Sequence, residues 1–268
     1  MRFVRLYPRA DADDHGRSVL VCHRVVTGPV ERDHDVPWQD FLGLIDRLAA
    51  AGLPFARDLE AEPRDGAIVL TFDDATGDHL AVAHALTERS VPAIFFVPAG
   101  ITETPGHLDG PALRELVEQG HIIGSHGWSH QRIDLLPEAD FAREIDASRA
   151  KLEDLAGVSV TLFAPPGGIG VRSLPERLQA AGYVASRSTR WGIHRRLEDR
   201  WRIPTVPVTR LTADRGWVEV AATERRLPAA MIAFGAVRTR LGPRARTVLR
   251  GRLHRRHDDV GARSGRGE

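Results

Sequence analysis

Short apolar runs recur along the chain, and each is followed by a stretch whose apolar residues keep helical spacing, the alternation expected of strands joined by crossover helices. Seven runs have strand length: Ser18–Cys22, Ala67–Phe72, Ala93–Val97, His121–Ser125, Val160–Ala164, Tyr183–Arg187 and Ile203–Val208. Between them, Phe41, Leu44, Ile45 and Leu48 predict a helix that stops before Gly52, and Leu113, Leu116 and Val117 predict one that follows Pro111 and stops before Gly120. The strongest helical segment is Asp140 to Ala156. There Phe141, Ile145, Leu152 and Leu155 share a face, Glu144, Asp146 and Arg149 fall on the remainder, and Gly157 can end the helix. Pro175 to Ala181 with Gly182 repeats the device. No sequence repeat and no Pro/Ser/Gly-rich linker divides residues 18 to 210, so they read as one α/β domain. Periodicity does not decide between an open doubly wound sheet and a closed barrel, both of which place their sites at the C-terminal ends of strands.

Composition narrows the classes. With 268 residues, 42% hydrophobic and 27% charged, the chain can bury a core unaided. Its single cysteine, Cys22, excludes an intrachain disulfide framework and a cysteine-based zinc finger, so a metal site would have to use His, Asp or Glu. No run reaches the length of a membrane span, and Arg2, Arg5 and Arg9 lead into Asp11, Asp13 and Asp14 without the apolar core of a secretory signal. These features lead to the expectation of a cytoplasmic protein.

The net charge of +1 hides an asymmetry. Residues 225–268 hold 12 Arg and 3 acids, while residues 1–224 hold 25 basic and 33 acidic side chains, and Lys151 is the only lysine. The expected organisation is therefore an N-terminal extension over 1–17, a catalytic domain over 18–224 and an arginine-rich helix and tail over 225–268. Met231, Ile232, Phe234, Ala236 and Val237 stand among the tail's arginines, as in a basic amphipathic helix held at an anionic membrane face, here the inner one. The same residues also suit a last helix packed on the domain. No specific nucleic-acid partner is expected.

Three segments carry candidate chemistry. The buried-strand pattern Ile68-Val69-Leu70-Thr71-Phe72 ends in Asp73 and Asp74, two adjacent acids that call for a compensating cation or a proton. His126 and His130 stand four residues apart at another strand end, and two imidazoles with one carboxylate make a metal site with positions left open. Pro165, Pro166, Gly167 and Gly168 form a rigid loop after the fifth run, with backbone able to approach a ligand or face an oxyanion.

The order Thr-Phe-Asp-Asp, then Ser-His-x-x-Ser-His, then Phe-x-Pro-Pro-x-Gly resembles the polysaccharide deacetylase family, carbohydrate esterase family four, over roughly residues 18 to 210. The resemblance implies a distorted (β/α) barrel of about seven parallel strands and hydrolysis of acetamido groups on sugars with a divalent metal, zinc first, with cobalt or nickel as alternatives. It further implies Asp73 as general base, Asp74, His126 and His130 as metal ligands, and a backbone N–H of the Pro166–Gly168 loop as oxyanion donor, with an N-acetylated glycan as substrate.

Three positions depart from the family pattern. Ala164 stands where many members have the arginine that pairs with the catalytic aspartate, Gly167 stands where an aromatic residue is usual, and no late Leu-x-His motif supplies a general acid. His23, in Val21-Cys22-His23-Arg24-Val25, resembles a Tyr-His-x-Val segment of exopolysaccharide-related members and is a cleft candidate, as is Trp191; His194 and Trp128 are weaker ones. Two other readings stay open: a carbohydrate-binding barrel that no longer turns over, and a hydrolase of the same fold acting on a non-sugar amide or cyclic imide.

Overall fold

The computed structural model describes residues 16–60, 66–224 and 226–233. The chain divides into two compact units, residues 9–227 and residues 1–8 with 228–268; of the second, 228–233 are described, and 229–233 are helical. The arginine-rich stretch beyond 233, with the amphipathic helix and membrane contact expected of it, lies outside the described residues, as does most of the N-terminal extension. Among the described residues no helix is long and apolar enough to cross a membrane.

The first unit runs β1 (Ser18–Cys22), β2 (Arg24–Val26), β3 (Asp35–Pro37), α1 (Trp38–Ala50), β4 (Ile68–Asp73), α2 (Asp78–Thr87), β5 (Ala93–Val97), α3 (Gly110–Glu118), β6 (Ile122–Ser125), α4 (Ser148–Ala156), β7 (Leu162–Phe163), α5 (Leu174–Ala180), β8 (Ala185–Trp191), β9 (Ile203–Pro207), α6 (Arg210–Asp214) and α7 (Trp217–Glu224). Seven strands close into a parallel barrel in the order β1-β4-β5-β6-β7-β8-β9, with β9 pairing back onto β1 at Leu20↔Val206 and Val21↔Pro207. This decides between the two architectures that periodicity left open, in favour of the barrel. All seven expected strands are present; β2 and β3, a small parallel pair at the mouth, were not expected.

Strand parity sorts the side chains. Val19, Val69, Ile94, Phe96, Leu162, Ala164, Ala185 and Ile203 pack together in one buried cluster. Phe72 and Phe95, of opposite parity to Val69 and Phe96, stack at 4.9 Å, and Phe72 meets Phe41 of α1 edge-on. With both faces covered, the strands read as continuous apolar runs in the sequence. The barrel is uneven: β6 and β7 share the single register pair Ser125↔Phe163, and β8 shifts register against β9 between Arg187 and Trp191.

The Asp140–Ala156 segment is helical as expected but not uniform, since residues 143–147 form a π-turn before α4 begins. Glu144, expected on the exposed side, is instead 3% exposed. It stands three residues after Phe141 and four before Ser148, both buried, so the helix period itself carries it to the inner side.

Candidate active site

Asp73 is the last residue of β4 and shares the inward parity of Val69 and Thr71, so its carboxylate enters the top of the barrel, 2% exposed. Asp74 follows with φ 76° and Ala75 with φ 50°, a left-handed kink that turns the chain off the strand and leaves both carboxylates near His126 Nε2, Asp73 Oδ2 at 3.9 Å and Asp74 Oδ1 at 3.6 Å. His126 follows β6, and its Nδ1 hydrogen-bonds the Ala164 carbonyl at 2.6 Å, which puts the proton on Nδ1 and leaves Nε2 with a lone pair. His130 reaches the same place from a left-handed residue, φ 57°, after four residues of loop.

Asp74 Oδ1 stands 2.9 Å from His130 Nε2 and 3.6 Å from His126 Nε2. One donor atom from each of Asp74, His126 and His130 lies within 4.8 Å of the other two, and this is the group of metal-competent side chains found among the described residues. Two imidazoles and one carboxylate are the donor set that suits zinc and similar divalent ions, and the Ala164 carbonyl orients the His126 ring with Nε2 toward Asp74.

Electrostatics favour the same use. Burial alone would raise the Asp74 carboxyl, but the His130 hydrogen bond and the charges of His126 and His23 hold it well below the usual carboxylate range. Burial pulls the His126 imidazole down to about 4 and keeps it neutral, the form a metal binds. The hydrogen bond to Asp74 raises His130 against its own burial.

Sequence reasoning missed Arg187. Its Nη2 donates to Asp73 Oδ1, both groups are fully buried, and its guanidinium lies over the Phe96 ring at 4.8 Å from the centroid. Burial pushes its pKa down, and with a carboxylate in contact the guanidinium keeps its proton. The arginine absent at position 164 is thus replaced by one from β8, across the barrel. The signal was present as an arginine closing the buried run Tyr183–Arg187, but its partner lies far away in sequence. Gly124 opposite makes the arrangement fit, because a Cβ there would come within 2.6 Å of the Phe96 ring.

The Pro-Pro-Gly-Gly segment forms a 3-10 turn over Pro166–Gly168, with φ of 69° at Gly167 and 66° at Gly168. The expected set of backbone donors narrows. Proline has no N–H, and the Gly168 N–H is committed to the Pro165 carbonyl at 2.7 Å, which leaves Gly167. Thr189 of β8 fixes the turn by donating to the Gly167 carbonyl at 2.9 Å. The Arg132 stem lies over Gly167, 3.2 Å from where a Cβ would be, in the place a side chain at 167 would start.

Among the other candidates, His23 joins the site: its Nε2 is 3.9 Å from Asp73 Oδ2, and the ring lies 4.8 Å from His34. Burial pulls it down to about 3. The His23 carbonyl hydrogen-bonds His79 Nε2, and Asp78 accepts from the Val25 N–H at 2.7 Å, so the start of α2 holds the His23 segment. Trp191 is half-buried at the end of β8, in register with Thr205. Trp128 is half-buried against Gly100, with the Arg143 guanidinium and the Lys151 ammonium 5.1 and 5.5 Å from its ring. His194 is fully buried at the opposite end, bonded through its backbone to Arg17.

Residues 60–186 match the family model described as polysaccharide deacetylase. An uncharacterised protein of Geobacillus stearothermophilus is 32% identical over 40% of this chain and 40% of its own length. The chitooligosaccharide deacetylase of Sinorhizobium fredii is 30% identical over 41% of this chain and 53% of its own. Peptidoglycan-N-acetylglucosamine deacetylase PgdA of Listeria monocytogenes is 30% identical over 41% of this chain, which spans 23% of that relative. The chain thus aligns with about half or less of each of these curated relatives. Among solved structures, IcaB from Ammonifex degensii superposes with a TM-score of 0.68 at 25% identity, covering 76% of this chain and 97% of that one. Streptococcus pyogenes deacetylase PplD gives 0.68 with the same coverage at 15% identity, a likeness of fold.

Proposed function

We propose, from the match of residues 60–186 to the polysaccharide deacetylase family model, that this chain is a metal-dependent hydrolase removing the N-acetyl group from an N-acetylated sugar or glycan. The observation that carries the reading is the meeting of Asp74, His126 and His130 donor atoms beside a buried Asp73 held by Arg187. The names of the deacetylase relatives supply the substrate class.

In this reading Asp74, His126 and His130 hold the ion, zinc by donor chemistry, with cobalt and nickel acceptable to the same ligands. When bound, such an ion supplies Lewis-acid polarisation of the acetyl carbonyl. Asp73 accepts the proton of the attacking water as its oxygen bonds to the carbonyl carbon. Arg187 keeps Asp73 ionised and fixes its Oδ1, so Oδ2 is the oxygen toward His23 and His126. The Gly167 N–H donates to the oxygen that gains charge as the carbon becomes tetrahedral. The C–N bond then breaks, and the amine leaves with a proton while acetate remains. His23, neutral at rest, is not the reservoir of that proton. Asp73 is, since it has just received one and stands in the same cavity, and this accounts for a chain without the late Leu-x-His motif. His23 then lines the cleft beside Asp73.

The test is acetate release from N-acetylated oligosaccharides by metal-reconstituted protein, with Asp73→Asn and His126→Ala alongside. Release by the parent, abolished in Asp73→Asn with metal retained, supports the reading. Stoichiometric metal without release from any N-acetylated sugar refutes it and leaves a binding barrel or a different amide.

A further inference from the structure

We infer that Glu144 is a positioning residue that sets the geometry of the His126–His130 metal loop, an inference that rests on the metal-site reading above. Glu144 touches neither histidine ring in any described contact. It acts on the backbone between them: its Oε2 accepts from the Trp128 N–H at 2.8 Å and from the Ser129 N–H at 3.1 Å, and its Oε1 accepts from the Ser129 N–H at 3.2 Å.

The loop is held from its other side too. The Ala99 N–H donates to the Gly127 carbonyl at 2.9 Å and the Gly100 N–H to the Trp128 carbonyl at 2.8 Å. The Gly127 and Trp128 carbonyls are therefore gripped from the turn after β5, and the Trp128 and Ser129 N–H groups from Glu144. His126 is fixed through Ala164, whereas His130 is half-exposed and sits on a left-handed residue, so its place depends on the backbone leading to it. A left-handed non-glycine residue persists when its surroundings over-determine it. Glu144 supplies that constraint.

Two features show that the sequence makes room for this carboxylate. A Cβ at Gly127 would stand 2.8 Å from Glu144 Oε2, and φ there is 76°, so a side chain at 127 would displace the clamp. The π-turn that carries Glu144 is anchored by Ser148 Oγ donating to the Glu144 carbonyl at 2.6 Å and by Tyr183 OH donating to the Ile145 carbonyl at 2.9 Å. π-Turns recur at functional sites, and this one bears a charge-assisted acceptor for two adjacent N–H groups.

The experiment uses full-length protein stripped of metal and titrated with cobalt(II), read by its visible ligand-field spectrum and by competition with a chelator. Glu144→Leu should weaken cobalt binding about 10- to 100-fold, as outer-shell partners of metal ligands do, and change the band pattern. Glu144→Gln keeps an acceptor oxygen and should recover most of both. Tyr183→Phe loosens the same turn without touching Trp128 or Ser129 and should lower the urea midpoint while leaving the spectrum of the parent. If Glu144→Leu does not fold, Glu144→Asp, one methylene short of both N–H groups, takes its place with the same expected change. A folded Glu144→Leu or Glu144→Asp with the parent's affinity and spectrum overturns the inference and leaves the proposed function standing. A Tyr183→Phe spectrum altered as much as that of Glu144→Leu also overturns it, since general loosening would then suffice. Failure of the parent to bind cobalt would strike the metal-site reading itself.

Discussion

Replacing Arg187 by Met keeps most of the side chain's bulk against Phe96 and removes the charge beside Asp73. Both groups are buried, 1% and 2% exposed, and in direct contact, so solvent screens the pair little. At an effective dielectric of about 20, unit charges about 4 Å apart attract by about 4 kcal/mol, worth roughly 3 pH units of preference for the ionised carboxylate. Stripping one partner from a buried pair costs about 3–5 kcal/mol of stability if the remaining charge stays. Asp73 escapes that penalty by taking up a proton, and a protonated Asp73 cannot accept one from water. The expected result is an acid limb of kcat/KM displaced upward by roughly 1 to 3 pH units, with metal content unchanged. The assay is a pH series of acetate release on metal-loaded parent and variant, each checked for stoichiometric metal. Arg187→Ala combined with Ala164→Arg, which rebuilds the pair from the position usual in the family, should move the limb partway back. A variant profile that superimposes on the parent's would refute the assignment of Arg187 as the partner that keeps the base ionised.

Gly168→Ala would place a Cβ 2.2 Å from the Thr189 backbone nitrogen at a φ of 66°, so it should cost at least about 2 kcal/mol in urea unfolding and lower activity by shifting the Gly167 donor; an unchanged midpoint would contradict the packing described. Metal at 100 times its dissociation constant should raise the stability of the parent by about 2.7 kcal/mol, and Asp74→Ala should abolish that increment in a thermal melt with and without chelator. Metal-free protein should lose stability from about pH 6.5 down to about pH 4, because the unfolded chain takes up protons that buried His126 refuses. That one residue accounts for up to roughly 1.4 kcal/mol per pH unit in the window, partly offset by His130, whose raised pKa favours the folded state at the acid end. A urea midpoint at pH 5 equal to or above that at pH 7 would exclude this balance.

The parts of the fold readable in the sequence were those with local signals. Ala93–Val97 is buried on both faces, so its apolar run marked its bounds without error, whereas Val160–Ala164 pairs over two residues only and its run overstated the strand. Arg24–Val26 and Asp35–Pro37 are too short for any period to show. Within the site, Asp73 with Asp74 and His126 with His130 each sit close together in sequence and announced themselves. Arg187 and Glu144 did not. Arg187 meets its partner only because the barrel closes, and Glu144, although a regular wheel sets it beside Phe141 and Ser148, is a charge whose burial depends on backbone N–H partners that leave no mark in the sequence.

The scattering of the site along the chain has a consequence for how the protein comes off the ribosome. Asp74, His126 and His130 all precede α4, while the guanidinium that pairs with Asp73 waits on β8. At typical synthesis rates Arg187 emerges several seconds after His130, the two being roughly 60 residues apart. On the proposed reading a nascent chain possesses Asp74, His126 and His130 before it possesses the partner of Asp73, and hydrolytic ability would arrive only when the last strands dock against β1.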